Sequence, residues 1–288
     1  WYTNLQFTVD GIERGGISGG WTGYSERNGQ RVPKELDGVC SNIEFSNMYI
    51  NSGLHSRYSE GAIYKCFMDV WGTGTVFRNI WEEHFECGFW FGDYNGKIDY
   101  SKNVKVIDCR IRNNYADGVN FCIGTSNSAV YNCSIRNNGD DGLAVWPDDS
   151  KGPKSADNNI FAYNTIELGW RAGGVAIYGG DGHKIYNNYI CDMFMASGIH
   201  LNTTFSGPRF KNTNRIAFDN NILVRCGTDS AAWNNPFGAI DIKEDVRNVF
   251  FTNTKIYDSP QEGVRIDGRV QEVEFNGCKI VIKEITIS

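Results

Sequence analysis

From Cys40 onward the chain repeats one phrase, a glycine followed by a short run in which apolar side chains alternate with other residues. It reads Gly61-Ala-Ile-Tyr, Gly88-Phe-Trp-Phe, Gly118-Val-Asn-Phe and Gly142-Leu-Ala-Val, then Gly174-Val-Ala-Ile, Gly198-Ile-His-Leu, Gly238-Ala-Ile-Asp and Gly263-Val-Arg-Ile. The intervals are 27, 30, 24, 32, 24, 40 and 25 residues. Upstream lie companion runs such as VKVIDCRIRNN, AVYNCSIRNN, HKIYNNYICD and NVFFTNTKIY. Alternation at period two with weak helical periodicity predicts strands. A unit near 24 residues carrying two or three short strands predicts a solenoid rather than a sandwich. The expected fold is therefore all-β: a right-handed parallel β-helix whose coils stack at about 4.8 Å.

Several expectations follow from the stacking. Asn164 and Asn188 are 24 residues apart and fit an inward asparagine ladder that satisfies buried backbone groups. The longer intervals predict loops that project at 148–158 and 226–237 and build a groove. The glycine- and polar-rich opening, residues 1–39, reads as a leading segment of loops of the same domain, and 40–288 as the β-helix, with both ends expected to be cut. Because Trp1 is not Met and no signal-like segment precedes the repeat, a removed leader and a secreted, extracellular protein are expected.

Composition narrows the partners. A net charge of −6 argues against a nucleic-acid backbone or an anionic membrane surface. No apolar run reaches the length of a membrane-spanning helix. Nine cysteines, an odd number without CxxC spacing, disfavour a zinc site; Cys109 and Cys133, 24 apart, predict stacked buried thiols.

The chemistry sits on two near-copies of the phrase, NNYADGVNF and NNGDDGLAV, in which Asp117 matches Asp141 and Ala116 stands where Asp140 does. Stacking places the residue before each glycine in one row: Glu60, Cys87, Asp117, Asp141, Gly173, Ser197, Phe237 and Glu262. Two carboxylates about 5 Å apart in that row cannot both ionise freely. Three readings compete: acid/base glycoside hydrolysis, a calcium site, and aspartates in solvated Asp-Gly turns. Trp90, Trp146, Tyr178 and His200, on neighbouring coils, are candidate sugar-binding residues, because sugar rings stack on aromatic faces. His200 alternates with Ile199 and Leu201 and is expected to point outward. Trp170 and Arg171, just before the Gly174 strand, are candidates for the groove rim.

The pattern YADG followed by GDDGLAVW, with aspartates 23 and 1 apart, resembles glycoside hydrolase family 87, the α-1,3-glucanases and mycodextranases. GLHSRYSEGAIYKCFMDVWGTG and WEEHFECGFWFGDYNG extend the resemblance over most of the chain from about Asn51. It implies inverting endo-hydrolysis of α-1,3-glucan (mutan, fungal wall glucan) or nigeran by Asp117, Asp140 and Asp141. A more distant likeness to polygalacturonases implies that Asp140 is the acid and that Asp117 and Asp141 handle the water. Their Arg-Ile-Lys motif is absent; Asp241-Ile-Lys243 stands in a comparable late coil, which makes Lys243 a substrate-binding candidate. The expected partner is a polysaccharide and the expected state a monomer; no cofactor or catalytic metal is expected to be required, and the carboxylates leave room for a structural calcium. The alternative is another β-helix polysaccharide-active protein: a polygalacturonase- or dextranase-like hydrolase, a calcium-dependent lyase, or a non-catalytic glycan-binding module.

Overall fold

A computed structural model describes residues 40–53, 65–92, 101–147, 156–203, 209–231 and 233–282, together with short strands before residue 40. The chain winds as a parallel β-helix. In a representative coil, Lys105–Ile107 and Arg110–Arg112 join one long bent sheet, and Val119–Phe121 joins the opposite sheet. The next coil repeats this with Ala129–Tyr131, Ser134–Arg136 and Leu143–Val145, each paired in parallel with its predecessor.

The alternating phrase explains the interior. Val119, Phe121, Leu143, Val145, Val175 and Ile177 are all fully buried and stack coil upon coil. Aromatic side chains extend the stacks, with Phe77 on Phe91 at 5.5 Å and Phe91 on Phe121 at 6.0 Å.

The Asn-Asn pairs explain the corners. The first asparagine of each takes positive φ, as at Asn113 (59°), Asn137 (58°), Asn187 (55°) and Asn220 (50°), a conformation that asparagine tolerates better than most residues. The second points inward. Asn114 donates to Asn138 at 3.0 Å, and Asn164, Asn188 and Asn221 form a continuous run with bonds of 3.0 Å. The predicted ladder is therefore present and longer than expected. Cys109 and Cys133 are buried and free, with the Cys109 amide 3.4 Å from the Cys133 sulfur.

Three sequence expectations need correction. In the opening segment, read as loop, Tyr2–Thr3 and Gln6–Val9 pair in parallel with Glu44–Ser52, and Ile17–Ser18 pairs with Lys65–Asp69. The strand preceding Cys87–Phe91 is Lys65–Asp69, with Lys65 opposite Cys87; the Gly61 phrase, like residues 148–155 of the first predicted loop, lies outside the described residues. Lys65 thus occupies the row beside Cys87, and Glu60, expected there, lies outside the described residues. Finally, Ile199 pairs with Ile240, so Ala239 rather than Gly238 matches Gly198. A slip of one residue exchanges the two faces of a strand: Asp241 sits beside His200, and Gly238, not Phe237, enters the row.

Candidate active site

Two outward-facing rows of the second sheet build the site. The strand registers place Trp90, Asn120, Ala144, Ala176, His200 and Asp241 in one row. Two residues further along each strand, the same registers stack Trp146, Tyr178, Asn202 and Lys243. The carboxylates come from the turn just before the strands. Asp117 and Asp141 are neighbours in register, as the Gly118 amide donating to the Asp141 carbonyl at 3.0 Å requires.

Each stacked aspartate divides its two oxygens. Asp117 Oδ1 accepts from the Asp141 amide at 3.2 Å, and its Oδ2 accepts from Asn120 at 3.0 Å. Asp141 Oδ1 accepts from the Gly173 amide at 2.9 Å, and its Oδ2 accepts from the Tyr178 hydroxyl at 2.7 Å. Asp140 stands off the row, one-third exposed, with Oδ2 paired to Arg171 at 3.2 Å. One oxygen from each of the three carboxyl groups lies within 4.8 Å of the others.

Arg171 also donates to the Gly139 carbonyl at 3.1 Å and lies 4.9 Å over the Tyr115 ring. Trp170 packs behind this turn: a Cβ on Gly139 would lie 2.3 Å from its ring and 1.9 Å from the Tyr115 carbonyl. Glycine is therefore required there, and Trp170 and Arg171 hold the Asp140 turn from behind and beside it.

The crowding sets the electrostatics. Burial first, then the Asp140 charge, raises Asp117 from the ordinary 3.8 to about 7, against the opposing pull of the Asn120 hydrogen bond. Burial, then Asp140 and Asp117, pushes Asp141 well above the usual carboxylate range, opposed by the bonds from Tyr178 and Gly173. Burial and the Asp141 charge keep the Tyr178 phenol protonated, and so a donor. The cluster retains a proton near neutral pH, which belongs to the interacting groups jointly.

Two clefts meet at Asp140, Asp141 and Tyr178. The smaller, about 190 Å³, is completed by Trp90, Asp117, Asn120 and Trp146. The larger, about 430 Å³, is walled by His200, Asn202, Lys243, Trp233, Asn235 and Phe237 among others. His200 does face away from the core, but it is 9% exposed because Tyr178 and Phe237 pack edge-on to its ring at 6.0 and 5.8 Å. The projecting 226–237 loop forms a small antiparallel hairpin of Asp229–Ser230 and Asn235–Pro236, and Trp233 Nε1 donates to the Arg171 carbonyl at 2.6 Å.

Sequence reasoning missed Asn120, Lys65, Asn202, Asp241 and Trp233. The alternation that turns His200 outward also turns Asn120 and Asn202 outward, so both were within its reach. Lys65 required the correct strand, where it pairs with Glu86 and lies 4.2 Å over the Trp90 ring. Trp233 sits in an irregular loop and carries no periodic signal.

Comparison with solved structures places this geometry. The Agl-KA catalytic domain is 41% identical, with a TM-score of 0.81, over 95% of this chain and 48% of that one. The catalytic unit of a thermostable GH87 α-1,3-glucanase from Streptomyces thermodiastaticus strain HF3-3 is 25% identical, with a TM-score of 0.64, over 83% of this chain and 45% of that one. PfbA, a surface adhesin of Streptococcus pneumoniae, shares the fold at 10% identity, with a TM-score of 0.55, over 95% of this chain and 78% of that one. The chain spans about half the length of the first two. Comparison with curated protein sequences gave no match. A family model described as alpha-1,3-glucanase catalytic domain D2 matches residues 55–275, and the chain belongs to that family.

Proposed function

We propose that the carboxylate cluster hydrolyses α-1,3-glucosidic bonds within α-1,3-glucan or nigeran, acting as an inverting endo-glucanase. The observation that carries this reading is the convergence of three carboxyl groups where two aromatic-walled clefts join. A solvated turn gains nothing from such repulsion, whereas bond cleavage between sugars needs both a proton donor and a base. Solved α-1,3-glucanase catalytic domains in complex with nigerose and with tetrasaccharides support the substrate class.

In this reading the glucan lies across both clefts with the scissile bond over Asp140. Asp140 donates the proton to the leaving oxygen, being the member of the trio that lines both clefts from off the stacked row. Asp117 and Asp141, one coil apart, orient and deprotonate the water, while Tyr178 and Asn120 hold their cleft-facing oxygens. Trp90 and Trp146 offer faces to the sugar on one side, and His200 and Lys243 offer polar contacts on the other. Arg171 holds Asp140, and Trp170 supports its turn. The protein acts outside the cell as a monomer and needs no cofactor.

The test is incubation with insoluble α-1,3-glucan, reading new reducing ends and the first anomer by NMR. Oligosaccharides with β configuration are expected first, and Asp140→Asn should release none. The trio's oxygens approach more closely than the separation of about 6.5–9.5 Å usual for an inverting pair, so α products appearing first would replace inversion by retention. The cluster also suits a cation with oxygen ligands. Chelator is expected to leave the rate unchanged, and loss of activity would reassign the trio to calcium.

A further inference from the structure

Two polar groups that wall the larger cleft, His200 and Lys243, meet at one side chain that does not line it, and a third, Asn202, joins through His200. Asp241 is completely buried. Its Oδ2 lies 3.4 Å from His200 Nδ1 and 3.3 Å from Lys243 Nζ, and its Oδ1 accepts from the Gly238 amide at 3.3 Å. Neither Asp241 Oδ2 nor His200 Nδ1 makes a hydrogen bond among the described residues, so the two approaches to Oδ2 are electrostatic contacts. On the far side of the imidazole, His200 Nε2 is 3.1 Å from Asn202 Nδ2.

Donor and acceptor arithmetic gives this chain a direction. An amide nitrogen donates, so His200 Nε2 accepts from Asn202. A neutral imidazole then carries its proton on Nδ1, the ring nitrogen that lies beside the buried Asp241 carboxylate. That carboxylate has no water to solvate it and is balanced by Lys243, whose ammonium also rests 4.4 Å over the Phe237 ring. The Asp241 and Lys243 charges cancel, so this wall of the cleft offers polar contacts without net charge. Hydroxyl groups of an uncharged sugar fit such a wall. A uronate would find no uncompensated cation there and would meet Asp140 and Asp141 opposite.

We infer that Asp241 is a positioning residue for the recognition of neutral sugar in the larger cleft. It touches no ligand and acts by fixing the His200 tautomer and the place of Lys243. The inference rests on the glucan-hydrolase reading for its substrate but not for its internal geometry, and the experiment separates the two.

The whole chain and its Asp241→Asn variant are compared on soluble α-1,3-linked gluco-oligosaccharides, alongside ¹⁵N NMR of the His200 side chain. The expected result is a KM raised roughly tenfold by the loss of one charge-assisted contact network. With kcat within about twofold, the loss is one of uniform binding. His200 should pass from a single Nδ1-protonated tautomer to a mixture, with the melting temperature kept. An unchanged KM and tautomer would overturn the inference, as would a fall in kcat and melting temperature at constant KM. If Asp241→Asn does not fold, Lys243→Gln should raise KM while leaving the tautomer intact, and an unchanged KM refutes the inference. If the wild-type chain releases no reducing ends, the hydrolase reading fails. Asp241 is then judged by calorimetric binding of the same oligosaccharides, where weaker binding in Asp241→Asn supports the role and equal binding ends it.

Discussion

Replacing Asp140 by asparagine should lower the titration point of Asp117, and the size of the fall can be bounded from the structure. The carboxyl oxygens lie within 4.8 Å of one another. At an effective dielectric constant near 20, two unit charges at that distance repel by roughly 3.5 kcal/mol, about 2.5 pH units. The whole rise of Asp117, from 3.8 to about 7, has burial as its largest cause and Asp140 only second. Asp140 is one-third exposed and solvent screens its charge, so the expected fall is below that unscreened figure, ~1 to 2 pH units. Asp117 should still titrate above an ordinary aspartate, because burial persists. The measurement is ¹³C NMR of aspartate carboxyl carbons across pH 3 to 9 in both proteins, with Asp117→Asn for assignment. An unmoved Asp117 would mean that burial alone sets its proton, and the picture of a jointly held proton would have to be abandoned. A fall all the way to the ordinary value would mean that burial counts for little.

Removing the Tyr178 hydroxyl as Tyr178→Phe takes away the 2.7 Å bond that opposes the rise of Asp141. kcat/KM is expected to drop roughly tenfold and the acid limb of the pH–rate profile to move to higher pH; a wild-type profile would exclude Asp141 as a base. Glu82 is fully buried, with Oε1 accepting from Asn114 at 2.8 Å and Oε2 without a hydrogen-bond partner among the described residues, and burial raises it far above its ordinary 4.5. Its folded value exceeds its unfolded one, so its stability contribution is intact below about pH 4.5 and is lost as pH rises toward the folded value, at about 1.4 kcal/mol per pH unit; Glu82→Gln should flatten urea-measured stability over that window, and an unchanged slope counts against it. In the ladder, Asn188 Oδ1 accepts from the Asn164 amide and side chain, and its Nδ2 donates to the Phe161 carbonyl at 2.9 Å. Asn188→Ala strands these groups and should cost ~3 kcal/mol or more in denaturant unfolding; a loss under about 1 kcal/mol would show that water replaces the ladder.

The parts of this architecture legible in sequence are those the period carries. The 24-residue spacing between Gly118 and Gly142 becomes a hydrogen bond between adjacent coils, and it places Asp117 on Asp141 as expected. Legibility fails where the chain leaves the period. After Leu201 the path runs through the 226–237 hairpin and rejoins the sheet at Ile240, one residue later than Gly238 marks. That single step decides whether Asp241 faces the core or His200. Before Cys87, Gly61 imitates the repeat, whereas the paired strand begins at Lys65. A glycine is a good register mark only where a crowded backbone demands it, as at Gly118, where a Cβ would lie 2.5 Å from the Gly142 carbonyl oxygen.

The division of oxygens in Asp117 and Asp141 explains how a stacked fold tolerates crowded carboxylates. In each, Oδ1 holds the backbone amide of the next coil while Oδ2 faces the cleft and its side-chain donor. Half of every carboxyl group thus does what the ladder asparagines do with their own Oδ1, closing one coil onto the next. The repulsion that disfavours the trio is set against backbone bonds that an ion accepts more strongly than an amide oxygen does. Successive coils fix those amides in place, so the carboxylates cannot swing apart to relieve the charge. They can relieve it by sharing a proton with Asp140, and a proton kept near neutral pH within the cluster is what Asp140 needs to act as the proposed general acid. The rigidity of the β-helix, set far below the cleft by the alternation of apolar side chains, is in this sense part of the chemistry at its surface.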